Sequence, residues 1–191
     1  MRRILVLVAS VLTLLGCGSS HHWNARDITG LMPPLEFSLR GLHGSVTANN
    51  FRGSNVLLFF GYTSCPDYCP TTLSKLHQAI NALPAADRIK FKVVFISVDP
   101  KRDNLPLLDS YTAAFGPEII GLTGNVDALR ELTKRYRTTF SYSTPDAHGN
   151  YEVSHGVAVY AFDREGTARL MILDTEPAPQ VTEDLATLAT L

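Results

Sequence analysis

Two cysteines close together carry the most chemistry in this chain. Cys65-Pro66-Asp67-Tyr68-Cys69-Pro70 follows Val56 to Phe60, an unbroken apolar run of strand length bounded by Asn55 and Gly61. It precedes Leu73, Leu76, Ile80 and Leu83, which recur at helical spacing until Pro84 stops them. A thiol where a strand runs into a helix feels the positive end of the helix dipole, which favours thiolate over thiol. Thiolate is the nucleophile of disulfide exchange and also the ligand of a soft metal. Sulfurs at i and i+4 can converge on one side of a turn. Pro66 restricts that turn, and Pro70 is tolerated in the first turn of a helix.

Three uses compete for such a pair. A plain structural disulfide would close so small a loop that it removes little chain entropy and stabilises weakly. A redox pair normally has two residues between its cysteines, and three stand here. The wider spacing suits holding an ion, for which a third ligand would complete the site. Of the six histidines, His21 and His22 lie in a polar N-terminal stretch and would take metal only adventitiously. His43 and His148 fall in turns, and His77 flanks the apolar stripe of the helix. His155 differs because it immediately precedes the apolar run Val157 to Phe162. In a thioredoxin-like sheet that strand runs antiparallel beside the one ending before Cys65, so the start of one meets the end of the other. This topology carries His155 to Cys65 and Cys69. Two thiolates and an imidazole make a soft, low-coordinate site for which Cu(I) is the natural guest, with Cu(II) also accommodated. A structural zinc site usually takes four protein ligands. Three ligands with an exposed edge suit an ion that is to be passed on.

The elements that must place these residues are visible in outline. Leu35 to Leu39 and Ser45 to Ala48, joined by Gly41-Leu42-His43-Gly44, read as an N-terminal β-hairpin. Phe91 to Val98 is a second β-rich run, and continuous runs of this kind suit strands buried on both faces of a parallel sheet. Leu105 to Phe115 and Val126 to Tyr136 are helix candidates. Val157 to Phe162 and Ala168 to Leu173 flank the turn Asp163-Arg164-Glu165-Gly166 as an antiparallel hairpin, and residues 180–191 form a closing helix. The fold class is α/β, a layered sandwich whose strand–helix–strand unit crosses over right-handed.

Composition narrows the function classes. The chain has 191 residues, 45% hydrophobic and 18% charged, enough for one domain with a sizeable core. A formal charge of -1 with no basic cluster excludes nucleic-acid binding. Arg2 and Arg3 precede an apolar run from Ile4 to Leu15, the pattern of a secretory signal. That run reaches only about 18 Å as a helix, against a hydrocarbon core of roughly 30 Å. Leu14-Leu15-Gly16-Cys17 resembles a bacterial lipobox, so residues 1–16 read as a lipoprotein signal peptide and Cys17 as the lipidated anchor. The mature chain then loses two arginines, leaving 15 basic residues against 18 acidic and a formal charge of -3. Residues 17–34 read as a flexible tether and 35–191 as the folded domain. The expected place is a periplasm-facing membrane, on functional grounds the inner one, where Cys65 and Cys69 meet an oxidising compartment.

Phe60-Gly61-Tyr62-Thr63-Ser64-Cys65-Pro66-Asp67-Tyr68-Cys69-Pro70-Thr71-Thr72 resembles the signature of the Sco/SenC family of copper-binding assembly proteins. Phe95 to Asp103 (FISVDPKRD), Gly121 to Gly124 and the His155 segment agree with it as well. The resemblance implies a thioredoxin-like three-layer sandwich with an inserted hairpin, and copper held by Cys65, Cys69 and His155. It also implies delivery of copper to the dinuclear copper site of cytochrome c oxidase subunit II, with other periplasmic copper carriers and thiol reductants as further partners. The alternative is a thiol-disulfide reductase that keeps the target's cysteines reduced, with Cys65 and Cys69 as its redox pair. Asp99, Arg102 and Asp103 match the family's aspartate-containing loop, where a structural and a functional role remain equally open. Gly156 stands where the family often has a hydroxyl residue. A peroxiredoxin shares the fold but places Thr three residues before its reactive cysteine, where this chain has Tyr62.

Overall fold

A computed structural model describes residues 21–191; the expected signal peptide 1–16 and lipidated Cys17 lie outside them. The centre is a six-stranded sheet in the order β1-β10-β9-β4-β5-β6. Its middle strand, β4 (Asn55–Gly61), is buried at every residue, as its unbroken apolar run requires. β5 (Phe91–Ser97) pairs parallel to β4 from Asn55↔Phe91 to Gly61↔Ser97, and β6 (Ile119–Leu122) extends the parallel half. On the other side β9 (Val159–Phe162) runs antiparallel to β4, with Phe59 opposite Val159. β10 (Ala168–Ile172) and β1 (Arg26–Asp27) complete that half.

Helix α1 (Tyr68–Asn81) links β4 to β5 through the short α2 (Ala85–Arg88) and packs against the closing helix α5 (Ala178–Leu188). α3 (Leu105–Ala113) lies against β6, and α4 (Val126–Arg135) follows it. Both begin where an asparagine caps the helix: Asn104 accepts from Leu107 N and Asn125 from Ala128 N. Two small hairpins stand outside the sheet. One is β2 (Ser38–Gly41) with β3 (Gly44–Thr47), as expected; the other is β7 (Phe140–Tyr142) with β8 (Val153–His155).

The structure departs from the sequence reading at three places. His155 closes a separate short strand, β8, and the strand expected from Val157 begins only at Val159, with residues 156–158 outside both ladders. Helix α1 starts at Tyr68, two residues before Pro70, so Cys69 sits inside its first turn rather than ahead of the helix. Pro70 fits there because the first N–H groups of a helix have no intrahelical acceptor. Finally, residues 24–34 are no free tether. Asp184 on α5, almost fully buried, accepts Asn24 N and Ala25 N at 2.8 Å each, β1 pairs with β10, and Ala25 and Ile28 are buried.

Candidate metal centre

The carboxyl end of β4 runs out of the sheet into the cysteine turn. Cys65 N donates to Tyr62 O at 3.2 Å, closing the turn that aims Cys65 back at the sheet. Thr63 is held by Asp103, which accepts its N–H at 2.8 Å and its hydroxyl at 2.6 Å and also takes the Ser97 hydroxyl at 2.6 Å. Asp103 is itself buried, so this carboxylate ties the cysteine turn to the end of β5.

Cys65 and Cys69 are both buried and both unpaired thiols. The antiparallel pairing of β9 with β4 does what topology requires and returns His155 to the same end of the sheet. Cys69 Sγ stands 3.6 Å from His155 Nε2, and the ligand atoms of Cys65, Cys69 and His155 all lie within 4.8 Å of one another. Ligand atoms each about 2.3 Å from a shared ion would stand at most about 4.6 Å apart. The three therefore need only a small closure to hold one. Among the described residues no other group of three or more His, Cys, Asp or Glu is so arranged.

The sulfur reaches this place through a gap left by Gly61. A Cβ there would lie 2.6 Å from Cys69 Sγ and 2.5 Å from Phe95 Cε2. Close approach demands the glycine, a role that the sequence signals only as a Gly ending a β-run.

Electrostatics prepare the histidine and restrain the sulfur. Nδ1 of His155 lies 2.9 Å from Gly156 O, and since a carbonyl only accepts, Nδ1 carries the proton. Nε2 then presents its lone pair to the cysteines, the usual arrangement behind a metal-binding imidazole. Burial lowers the basicity of His155 below the ordinary value, keeping the ring neutral. Tyr62 and Phe59 pack edge-on against it, with centroids at 5.7 and 6.3 Å. For Cys69, burial pushes the thiol well up and the neighbouring Cys65 adds to it, outweighing the Tyr62 backbone contact that pulls the other way. This reverses the expectation that the helix dipole would favour thiolate there. Desolvation outweighs the dipole, and a cation must arrive before Cys69 gives up its proton at neutral pH.

The remaining expected bystanders are where the sequence put them. His77 pairs with Glu118 at 2.7 Å, and His43 and His148 are exposed in turns. Asp67 is exposed and makes no cap bond with its side chain. Asp99 and Arg102 form an ion pair beside the site. Tyr62, which touches His155, went unremarked in the sequence as a site residue.

A sequence model of the SCO1/SenC family matches residues 34–190. The chain is 34% identical over 152 residues to the mitochondrial protein SCO2 homolog of Bos taurus, covering 78% of this chain and 57% of that one. It spans about half the length of the mitochondrial relatives it matches. Its fold is similar to apo Sco1 of Thermus thermophilus, with a TM-score of 0.79 and 36% identity over 90% of this chain and 99% of that one. It is also similar to Arabidopsis thaliana ScoI with copper bound, with a TM-score of 0.75 and 30% identity over 82% and 98% of the two chains. The thioredoxin-like sandwich expected from the sequence is thus the fold observed.

Proposed function

The chain belongs to the SCO1/SenC family, and on that footing we propose that it carries copper on Cys65, Cys69 and His155 for delivery to the dinuclear copper site of cytochrome c oxidase subunit II. The observation that carries the reading is the convergence of two thiol sulfurs and one unprotonated imidazole nitrogen within 4.8 Å. Solved relatives with copper bound support the choice of metal. Copper is cargo here. On binding Cu(I), Cys65 and Cys69 lose their protons to solvent while His155 Nε2 enters with its lone pair, and the incoming positive charge offsets the cost of burying thiolate. Release is ligand exchange with an acceptor that offers more or better-placed soft donors.

The exposed Tyr68 and Asp67 between the cysteines leave room for such an acceptor to approach. Lipidation of Cys17, with the domain facing the periplasm from the inner membrane, would hold the carrier beside a membrane-bound oxidase. No helix among the described residues is long and apolar enough to cross a membrane.

A second reading, thiol-disulfide reduction of the target's cysteines, rests on the same two unpaired thiols. His155 separates the two, since a reductase does not need it. Reduced protein in which His21 and His22 are replaced by Ala is expected to bind one Cu(I). Cys65→Ser and Cys69→Ser should each abolish tight binding, and His155→Ala should impair copper binding while thiol exchange with a model disulfide continues. Retention of one tight copper by either cysteine variant would overturn the carrier reading.

A further inference from the structure

Arg102 offers copper no ligand, yet it stands where the elements of the site meet. Its guanidinium Cζ lies 4.0 Å from the ring centroid of Tyr151 and 5.6 Å from that of Tyr62. These rings belong to different parts of the fold. Tyr62 follows β4 and leads into the cysteine turn, with its ring edge-on to His155. Tyr151 lies just before β8, the strand that ends in His155. Hydrogen bonds hold Arg102 to the Tyr151 side and to the Asp99 loop. Nη1 donates to Tyr151 O at 2.9 Å, Nε pairs with Asp99, and the Tyr151 hydroxyl donates to the same carboxylate at 2.7 Å. Asp99 is fully buried and sits in the loop whose other aspartate, Asp103, holds the cysteine turn.

The hairpin carrying His155 needs such a connection. β7 and β8 pair with each other over three positions only and lie outside the six-stranded sheet, so no ladder fixes them to β4. Apart from the short link 156–158 into β9, side chains tie them to the body, and Tyr142, donating to Val98 O at 2.6 Å, ends on the same loop. A planar fork presenting Nε and Nη1 in fixed directions while stacking on a ring is a task for arginine that lysine cannot perform.

We propose that Arg102 is a positioning residue for the copper site, clamping hairpin β7–β8 to the end of β4 so that His155 stays within reach of Cys65 and Cys69. The clamp rests on the copper-carrier reading and adds to it a residue that acts solely through His155.

A double-mutant cycle on the full chain tests this, with Cu(I) affinity measured by competition against a chromogenic chelator. Arg102→Lys keeps the charge and loses the fork, and it is expected to weaken copper binding about 10- to 100-fold, the usual effect of removing a partner that orients a metal ligand. In the His155→Ala background the same substitution should change affinity by no more than about twofold, since an effect exerted through His155 has nothing left to act on and the two substitutions are then non-additive. A merely structural role would lower affinity equally in both backgrounds, and that outcome overturns the proposal, as does an unchanged affinity in both. Should Arg102→Lys fail to fold, Tyr151→Phe enters the same cycle, keeping the ring and removing only the bond to Asp99. Wild-type protein that binds no Cu(I), or His155→Ala that binds as well as wild type, would instead sink the carrier reading and the clamp with it.

Discussion

Gly61→Ala is the sharpest single perturbation of the site, because it adds one methyl group and no charge. Gly61 has no unusual backbone conformation, so the substitution acts through space alone. The added carbon would stand 2.5 Å from Phe95 Cε2 and 2.6 Å from Cys69 Sγ, where carbon contacts settle at about 3.5–4.0 Å. Each neighbour must therefore retreat by about 1 Å or more. Phe95 is fully buried, its ring 5.8 Å from that of Phe59 and 5.7 Å from that of Tyr111, and it has little room to move. Cys69 is equally buried, so its sulfur can yield only by shifting the first turn of α1.

Overpacking of this kind costs about 1–3 kcal/mol. At about 2–4 °C per kcal/mol for a domain of this size, Tm should fall by about 2–12 °C. Calorimetry of the reduced, metal-free protein reads that directly. A displaced Cys69 no longer shares an ion with His155 at its former distance, so copper affinity should fall by at least about tenfold, or 1.4 kcal/mol. Repeating Gly61→Ala in the Cys69→Ala background removes the sulfur contact and should recover at least about 0.5 kcal/mol of the loss. An unchanged Tm together with unchanged copper affinity would refute the close-approach account.

Three other consequences can be checked. A Cβ on Gly156 would run into the Thr138 hydroxyl, so Gly156→Ala should displace the carbonyl that holds His155 and weaken copper binding, and Thr138→Ala in the same chain should restore it. Asp184→Ala leaves the N–H groups of Asn24 and Ala25 without their acceptor. A cost of about 1–3 kcal/mol is expected, with faster hydrogen exchange over residues 24–28; exchange unchanged there would count against the pinning. The third concerns pH. Burial lowers the folded His155 below its ordinary value of 6.5, so the unfolded chain takes up the proton first. Stability of the metal-free protein should be complete above about pH 6.5 and decline as pH falls from there towards the folded value. Urea titrations of wild type and His155→Ala from pH 7 to 5 should show a steeper decline in the wild type.

The parts of this fold legible in sequence were those whose signal is local and long enough. β4 and β5 announce themselves as seven-residue apolar runs, and α1 by its stripe of Leu73, Leu76 and Ile80. β6, four residues with Gly121 pressed against Leu108, and hairpin β7–β8, three residues in each arm, are too short to show a period. His155 could be assigned only by reasoning through topology, and its strand was misread while its destination was right: the antiparallel partner of β4 does return it to the cysteines. The thiolate expectation at Cys69 failed because a helix dipole is local whereas burial is tertiary. Residues 24–34 read as a tether for a similar reason, since the carboxylate that pins Asn24 and Ala25 comes from the far end of the chain.

Both margins of the central sheet are closed by short devices. β1 lies along β10, and on the opposite side Arg40 of the first hairpin exchanges two backbone hydrogen bonds with Thr123, at 2.8 and 2.9 Å, next to the end of β6. Neither flank then offers a long row of free amides on which another polypeptide could zip itself. A partner approaching the flanks of the central sheet is left to meet side chains. The carrier proposed above, which must let go after each delivery, would be served by that reticence.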